Sequence, residues 1–357
     1  MKYLVTGPNG YIGEHLVRAL LQKGHTVNAF LLRGTDPSQL QADGVAIFEG
    51  DILNAQDIEN ALEGCQAVFH LASVVSPWEK DPQIFHRINV GGTQTLLRAC
   101  KEKGIRRVLV SSSCGIFGPS SGSNLVDERS DHFSRLREPY ELSKYHQMEV
   151  AKNFLDEGLE ILMVYPTRVY GPGLKSHGNS LTAIIGGVLN GTWHIIPGNG
   201  NSYGNYVFVD DVAKGMILIM EKGTSGEDYI LGGQNASYND LFDIVQRVSH
   251  RRVSLYRVPA ALMRFLGLFE EMRSRLTGKR PFITVHAAEK FTTDWLVSIK
   301  KIRDSLGYRP MSLEEGMRRT VEALLKEPDS PSVPKLAPWK KTSTSSPPKN
   351  WASSSLF

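Results

Sequence analysis

The sequence has few of the features that mark specialised classes of protein. Its 357 residues include only three cysteines, Cys65, Cys100 and Cys114, which are too few and too scattered for a disulfide framework or a zinc site. No apolar run reaches the roughly 18 residues that a membrane-spanning helix needs. Its 41 basic and 37 acidic side chains leave a net charge of +4, so there is no electrostatic case for nucleic-acid binding.

The composition is otherwise that of an ordinary globular chain, with 41% hydrophobic and 22% charged residues. No pattern typical of a targeting segment precedes residues 2–6, which already read as a short strand. The small number of cysteines suits a reducing compartment. We therefore expect a cytoplasmic protein.

Apolar strand-like runs alternate with amphipathic helical ones through residues 1–165. This alternation predicts parallel βαβ units and hence a doubly wound α/β sheet with helices on both faces. The alternation then becomes irregular. Residues 166–326 predict a smaller mixed α/β lobe, with part of 205–235 returning to the sheet. Residues 327–357 hold six of the 18 prolines among serines and lysines, which predicts a disordered basic tail.

A glycine-rich loop joins the first predicted strand to a helix. Gly7 would make the tight turn, Gly10 would let the backbone approach a pyrophosphate, and Gly13 would let the helix pack on the strand. The free N–H groups of the helix N-terminus would bind the phosphates. Any tight turn can use glycine, but between a strand and a helix the triplet predicts a Rossmann-type dinucleotide site. The residues of this predicted site are Gly7, Asn9, Gly10, Tyr11, Ile12 and Gly13.

The end of the second predicted strand bears on which dinucleotide binds. A carboxylate there would hold the ribose 2′-OH of NAD, whereas an arginine accommodates the 2′-phosphate of NADP. No acidic residue occurs between Glu14 and Asp36, and Arg33 offers a bidentate phosphate partner. The sequence therefore favours NADP(H). NAD(H) stays open, because Arg33 could instead be a loop charge that faces solvent.

A second polar group follows the fifth predicted strand, where a serine run ends at Ser113. Pro139 is well placed in the first turn of a helix, so Tyr140 and Lys144 would lie one turn apart on one face. An ammonium stabilises a phenolate, and we expect Lys144 to lower the pKa of Tyr140 toward neutrality for acid/base chemistry. A serine hydroxyl would hydrogen-bond the substrate oxygen. The alternative is an incidental pair on an amphipathic helix.

In this order the motifs resemble those of the extended short-chain dehydrogenase/reductase family, over about residues 1–326. The motifs are TGPNGYIG at 6–13, GDI at 50–52, HLAS at 70–73, NVGGT at 89–93, SSSCGIFG at 111–118, YELSK at 140–144, PTRVYGPG at 166–173 and VFVDDVA at 207–213. The resemblance implies a Rossmann-type fold and an NAD(P)-dependent oxidoreductase with a small-molecule substrate, bound mainly by residues 166–326. It also implies a homodimer, and we expect no metal.

The resemblance assigns roles to individual residues. Tyr140 would exchange a proton with the substrate oxygen, and Lys144 would also hold the nicotinamide ribose. Ser113 is the family-like serine, with Ser112 as the fallback, and Asn89 is interpreted as structural. The other residues expected at the cofactor are Asp51 and Ile52 at the adenine, Leu71, Ala72 and Ser73 along its length, and Pro166 and Thr167 near the nicotinamide.

The branch of the family depends on Gly204. Sugar-nucleotide members usually carry an arginine at this position, before the VxVDD motif, and a buried diphosphate without its cation would be poorly compensated. Arg168 could substitute for it. The similarity is closest to the dihydroflavonol-reductase-like and 3β-hydroxysteroid-dehydrogenase-like branch, which favours NADP-dependent reduction of a ketone or aldehyde, or the reverse, on a largely apolar substrate. The residues expected around this substrate are Val75, Trp78, Ile116, Phe117 and Arg168.

Two other functions stay open at this point. The first is a nucleotide-sugar epimerase or dehydratase, in which bound NAD is reduced and reoxidised within one turnover. The second is a sensor or scaffold that binds NADP without turnover. It is the least favoured, because Tyr140 and Lys144 are both present.

The segment 259–276 has the pattern of an amphipathic helix. Such helices usually cover a core or an active site, and a minority lie on membranes. We expect this one to cover a core and do not favour peripheral membrane contact. Its apolar positions are Leu262, Phe265, Leu266, Phe269 and Met272.

Overall fold

Strands and helices alternate along the chain as the sequence predicts. The structure is a computed structural model that describes residues 1–122, 124–131, 138–174 and 177–326, so the predicted tail at 327–357 lies outside the described residues. The strands are β1 (Lys2–Thr6), β2 (Thr26–Leu32), β3 (Val45–Gly50), β4 (Ala67–His70), β5 (Arg107–Ser111), β6 (Glu160–Pro166), β7 (Arg168–Tyr170), β8 (Ile195–Pro197), β9 (Tyr203–Phe208), β10 (Asp228–Leu231), β11 (Gln234–Ser237) and β12 (Tyr256–Val258). The helices are α1 (Tyr11–Gln22), α2 (Ala55–Ala61), α3 (Gln83–Phe85), α4 (Gly92–Glu102), α5 (Pro139–Asn153), α6 (Ser180–Leu189), α7 (Val209–Lys222), α8 (Tyr238–Ser249), α9 (Ala260–Thr277), α10 (Val285–Thr292), α11 (Lys300–Leu306) and α12 (Leu313–Lys326).

Seven parallel strands form the central sheet, in the order β10-β6-β5-β4-β1-β2-β3. The predicted doubly wound α/β sheet is therefore confirmed. The direction of winding reverses between β1 and β4, where Thr6 and His70 are paired in register at the carboxyl ends of the strands. In open α/β sheets ligands bind at this kind of switch point. The glycine loop follows directly from β1, so it begins at the switch point.

Two apolar cores lie on opposite faces of this sheet. On one face, side chains of α1 and α7 such as Leu16 and Met216 pack against the strands. On the other face, α2, α4 and α5 contribute residues such as Leu96 and Met148. Burial on both faces accounts for the nearly continuous apolar runs of the strands, which is typical of parallel sheets.

The second lobe has its own small sheet, β11-β9-β7, and the two-stranded pair β12-β8. A third core formed by α6, α8 and α12 packs against β9, with Ile185, Leu241 and Val321 among its buried residues. Within the interval 205–235, β10 joins the main sheet while β9 stays in the second lobe. The strands β7 and β11 and the helix α10 were not predicted, because elements of three to eight residues show too little periodicity.

The helical region over 83–102 is not one regular helix. A π-helical turn, His86–Gly91, separates α3 from α4. Such turns are rare, occur mostly as single turns inside α-helices and are frequent at functional sites. The turn contains the buried residue Asn89, which lies near the active site described below.

The expectation that α9 covers a core is wrong. Only Met263, Gly267 and Ser274 of this helix are buried. A side chain at Gly267 would approach the backbone nitrogen of Val285 to 2.8 Å, so α9 packs closely on the start of α10 at this glycine. The apolar residues that the pattern assigned to a core lie on the opposite side and are exposed: Leu262, Phe265, Leu266, Phe269 and Met272. None of the helices in the described ranges is both long and apolar enough to cross a bilayer.

Candidate active site

The glycine loop has the shape that a dinucleotide requires. Gly7 has a φ of +69°, and a side chain there would come within 2.9 Å of the backbone nitrogen of Ala72. A Cβ at Gly13 would collide with the carbonyl oxygen of Gly7. The first turn of α1 follows Gly10 with no side-chain cap, so its N–H groups form an anion-binding helix end. A cradle that side chains would fill fits a pyrophosphate held by backbone groups.

The other predicted cofactor residues lie around this loop in different ways. The Ala72 N–H donates to Thr6 Oγ1 at 3.1 Å, which holds the segment Leu71–Ser73 beside the loop. The hydroxyl of Tyr11 donates to the carbonyl of Gly171 at 3.1 Å, so this side chain points away from the loop into the second lobe. Only the backbone of Tyr11 can serve a phosphate.

The predicted adenine and nicotinamide contacts follow the ends of β3 and β6. The carboxylate of Asp51 accepts from the Leu53 N–H at 2.9 Å, and Ile52 is buried. Thr167 donates from its hydroxyl to the Asn205 amide oxygen at 2.9 Å, which ties the end of β6 to the second lobe. The cofactor contacts predicted for Asp51, Ile52, Pro166 and Thr167 stay predictions.

Arg33 is anchored at the end of β2. Its Nη2 atom lies 2.7 and 2.9 Å from the two carboxylate oxygens of Asp57, and the arginine side chain is 64% exposed. Asp57 also accepts from the backbone N–H of Asp51 at 2.9 Å. The ion pair therefore holds the guanidinium beside the predicted adenine contacts, whereas an unanchored loop charge would have no fixed position.

Ser113 is the serine that lies next to Tyr140. Its hydroxyl is hydrogen-bonded to the Tyr140 phenol and accepts from the N–H of Gly115 at 3.2 Å. Ser112 is buried and donates to the carbonyl of Lys144 at 3.2 Å, so it fastens the helix α5. The hydroxyl of Ser112, the alternative catalytic serine, is thus already used in a hydrogen bond to the backbone.

The expected lowering of the Tyr140 pKa is wrong in direction. Burial raises the pKa of Tyr140 to about 12; the hydrogen bond with Ser113 opposes this, and the nearby charges of Glu141 and Glu138 add to it. Burial also lowers the pKa of Lys144 to about 7. Desolvation penalises whichever form is charged, so it favours a neutral phenol and a neutral amine together. A neutral Tyr140 is a proton donor.

Lys144 directs its amine into a buried line of hydrogen bonds and not toward the phenol. Its Nζ lies 2.9 Å from the Ser111 carbonyl and 2.9 Å from the Gln147 amide oxygen. Gln147 donates to Thr93 at 2.8 Å, Thr93 lies 2.7 Å from His70, and His70 lies 2.8 Å from Thr6. Burial, with the charge of Lys144, lowers the pKa of His70 to about 3, so its neutral ring can donate on one side and accept on the other. This line joins the glycine loop to the catalytic helix.

Asn89 connects the loop after β4 with α5. Its side chain accepts from the N–H of Val74 at 2.7 Å and donates back to the Val74 carbonyl at 3.2 Å. Its amide also donates to the hydroxyl of Ser143 at 2.9 Å, which in turn donates to the carbonyl of Tyr140 at 2.7 Å. These bonds support the structural interpretation of Asn89.

An ion cluster from α10 holds the N-terminus of α5. Lys290 Nζ lies 2.5 Å from Glu141 Oε1 and 3.5 Å from Glu138 Oε2, and His286 Nε2 lies 3.4 Å from the same Glu141 oxygen. Burial would raise the pKa of Glu141, but the nearby His286 ring and the Lys290 ammonium hold this pKa below its usual range. The two glutamates and His286 are close enough to share a metal ion. Because Lys290 already pairs with the buried carboxylate, we interpret them as an ion cluster.

Sequence reasoning missed this cluster and most of the buried line. Glu141 stands directly after Tyr140, and His70 belongs to the HLAS motif, so both were within quoted motifs. Lys290 and His286 had no such signal, because α10 itself was not predicted.

Arg168 is held inside the second lobe. Its Nη1 donates to the Tyr238 hydroxyl at 2.7 Å, and its Nη2 donates to the Lys290 carbonyl at 3.3 Å. The guanidinium lies 5.8 and 5.6 Å from the ring centres of Tyr206 and Tyr238, as in cation–π contacts. A side chain at Gly204 would come within 2.6 Å of this guanidinium. Because Gly204 has no side chain, the Arg168 guanidinium can occupy the space beside it.

The predicted substrate residues separate into two groups. Val75 is 42% exposed, and Trp78 is partly buried in a turn where its carbonyl accepts from Ser76 at 2.8 Å. Ile116 and Phe117 are 0% and 1% exposed and belong to the core beside the sheet. They present no surface in this structure and stay predicted substrate residues, and the turn that contains them begins at Ser113.

Comparisons with known proteins agree with this geometry. A model of the NAD dependent epimerase/dehydratase family matches residues 3–232. Over 325 residues the chain is 28% identical to a Synechocystis protein named provisionally as a dihydroflavonol 4-reductase, covering 89% of this chain and 93% of that protein. Over 343 residues it is 26% identical to the mouse sterol-4-alpha-carboxylate 3-dehydrogenase, decarboxylating, covering 90% of each. A solved UDP-glucose 4-epimerase from Thermotoga maritima has the same fold, with a TM-score of 0.76 at 24% identity over 92% of this chain and all of that one.

The buried amine of Lys144 makes stability depend on pH. Its pKa falls from 10.5 in the unfolded chain to about 7 in the fold, so between these values the unfolded state binds more protons. The free energy of unfolding should therefore rise with pH across about pH 7 to 9.5, by up to about 1.4 kcal/mol per unit from this group. Replacing the amine, as in Lys144→Met, should remove that contribution. Urea unfolding of the cofactor-free protein at several pH values measures the difference in slope.

The control variant is Lys101→Met, which removes an exposed lysine that pairs with Glu157. It should keep the slope of the wild type. Equal slopes for Lys144→Met and the wild type would contradict the burial of a titrating amine.

Proposed function

The chain belongs to the NAD dependent epimerase/dehydratase family, and from that premise we propose that it is an NADP-dependent oxidoreductase that reduces a ketone or aldehyde of a largely apolar small molecule, or oxidises the alcohol. The resemblance to the extended short-chain dehydrogenase/reductases is thereby confirmed, and with it an NAD(P)-dependent enzyme. The proposal adds the choice of NADP and the class of substrate.

The chemistry follows from the two side chains at the start of α5 and the turn after β5. A nicotinamide cofactor, when bound, would supply or accept the hydride at the substrate carbon. In the reductive direction Tyr140 gives its proton to the substrate oxygen, which its raised pKa allows because the phenol is protonated at neutral pH. Ser113 hydrogen-bonds the same oxygen and the phenol. Lys144, at the end of the buried line, holds the helix and the ribose side of the site.

The observation that carries the proposed substrate class is the position of Arg168. The guanidinium donates to Tyr238 and to the carbonyl of Lys290, and it fills the space over Gly204. Its donors are thus used within the protein, while the arginine usual at position 204 in sugar-nucleotide members is absent. A diphosphate would find no ready cation there. The names of relatives such as the mouse sterol dehydrogenase agree with an apolar substrate.

The choice of NADP rests on Arg33. Its guanidinium is anchored by Asp57 beside Asp51 and remains 64% exposed. Both bonds to Asp57 come from Nη2, so a 2′-phosphate at this end of the site would meet the N–H groups of Nε and Nη1 on an anchored guanidinium.

The alternative, a nucleotide-sugar epimerase or dehydratase with NAD cycling in the site, also has an observation in its favour. Arg168 is a cation in the second lobe, and a diphosphate that displaced its tyrosine partners would gain a strong partner. This alternative requires the arginine to be released from Tyr238.

Replacing Tyr140 tests the catalytic assignment. In Tyr140→Phe the proton donor is lost while the ring and its edge contact with Phe85 stay. We expect kcat to fall by at least about a hundredfold, with NADPH affinity within about twofold, since phosphate binding lies in the glycine loop. Stopped-assay turnover and fluorescence titration measure the two quantities.

Tyr145→Phe, five residues further along α5, is the matched control and should keep full turnover. Full activity in Tyr140→Phe would contradict the assignment of Tyr140 as the proton donor.

Arg33→Ala tests the cofactor. The dissociation constant for NADPH should rise by about tenfold, the strength of a charge-assisted phosphate contact, while that for NADH changes little. Arg18→Ala, which removes an exposed arginine paired with Glu14, is the control and should change neither. Tighter binding of NADH than of NADPH to the wild type would overturn the choice of NADP.

A substrate panel separates the two functions. We expect NADPH consumption, followed by absorbance, with aryl or steroid ketones and none with UDP- or GDP-sugars. An isomerised sugar formed without net consumption of cofactor, together with NAD retained through purification, would instead identify an epimerase.

A further inference from the structure

The outer face of α9 is the largest concentration of exposed apolar side chains among the described residues. It consists of residues spaced by three and four along the helix, so they form one stripe on its solvent side. Their exposed fractions reach 65% for Phe265, 55% for Phe269 and 83% for Leu276. The members of this face are Leu262, Phe265, Leu266, Leu268, Phe269, Met272 and Leu276.

A further aromatic side chain lies next to α9. Phe282 is 84% exposed in the loop after the helix. The loop is held in place, because the Phe282 N–H donates to Glu270 at 2.8 Å. Phe282 is therefore presented by a fixed backbone. Soluble surfaces rarely carry an apolar patch of this extent without a partner.

The segment that contains the outer face is rich in positive charge. Residues 251–280 contain eight Lys and Arg against two carboxylates, a net charge of +6 in a chain whose total is +4. One of those carboxylates, Glu270, pairs with Arg273 at 2.6 Å, so the arginine nearest the stripe is neutralised. Arg264 and Arg275 lie along one edge of the stripe. An anionic partner is what this distribution favours.

We propose that the outer face of α9 docks on an anionic lipid bilayer, with the helix lying in the plane of the interface. An apolar stripe with phenylalanines and leucines, bordered by arginines, is the pattern of interfacial helices. The apolar side chains enter the acyl boundary while Arg264 and Arg275 meet lipid phosphates. A second copy of the chain would bring +6 against +6 across the contact, which argues against it.

The position of α9 connects this surface to the active site. α9 packs through Gly267 on the start of α10, and α10 carries His286 and Lys290, which contact Glu141 beside Tyr140. Docking therefore places the site close to the bilayer surface, where apolar molecules concentrate. This consequence rests on the proposed apolar substrate, whereas the docking itself does not.

Sedimentation with vesicles tests the docking. The full chain is mixed with vesicles of phosphatidylcholine alone or with about a third phosphatidylglycerol. We expect binding to the anionic vesicles that weakens with salt. The variant Phe265→Gln/Phe269→Gln should lower the partition coefficient by about tenfold or more, because two large apolar groups no longer enter the membrane.

Arg264→Gln/Arg275→Gln separates charge from apolar insertion. It should weaken binding to anionic vesicles by about tenfold and leave binding to neutral vesicles unchanged. The control is Ile47→Gln/Leu325→Gln, which removes two exposed apolar side chains elsewhere, 38% and 40% exposed, and should bind like the wild type.

Three results would overturn the proposal. The first is that the wild type binds neither kind of vesicle, and the second is that Phe265→Gln/Phe269→Gln binds unchanged. The third is a wild-type dimer that this variant dissociates in analytical ultracentrifugation, which would assign the face to a second copy. Neither cofactor nor substrate is present in these experiments, so their outcome is independent of the proposed reaction.

Discussion

The buried line of hydrogen bonds from Thr6 to Lys144 is the constraint on which the active site depends. It crosses from β1 through β4 and α4 to α5, at the edge of the sheet where ligands bind. A buried polar group left without a partner costs about 1–3 kcal/mol, so each member fixes its neighbour. The neutral ring of His70 is essential, since it must both donate and accept. The line makes the glycine loop and the catalytic helix one unit.

The second lobe adds a separate constraint from the other side. Lys290 of α10 pairs with Glu141 next to Tyr140, and its carbonyl accepts from Arg168. The same helix therefore contacts both the start of α5 and Arg168. Side chains of the second lobe thus help to hold the helix that carries Tyr140 and Lys144.

The helix α9 illustrates how one pattern can have two outcomes. Its apolar spacing is what a core helix would show, and the core interpretation followed from it. In the fold, Gly267 and Ser274 form the contact side, and Gly267 is small enough for the backbone of Val285 to approach. The apolar stripe is left facing outward. The same apolar residues therefore form an exposed surface, for which we propose a partner, and not part of a core.

The sequence by itself determined the alternation of strands and helices in the first half, the glycine loop and the one-turn spacing of Tyr140 and Lys144. Each of these depends on residues within a few positions of one another, where spacing dictates geometry. Only the tertiary structure decided the direction of both pKa shifts, the partners of Arg168 and the outward face of α9. Those depend on burial and on contacts such as Glu141 with Lys290, across 149 positions of the chain. Burial and contacts between distant residues leave no periodic pattern in the sequence. Only folding brings these groups together.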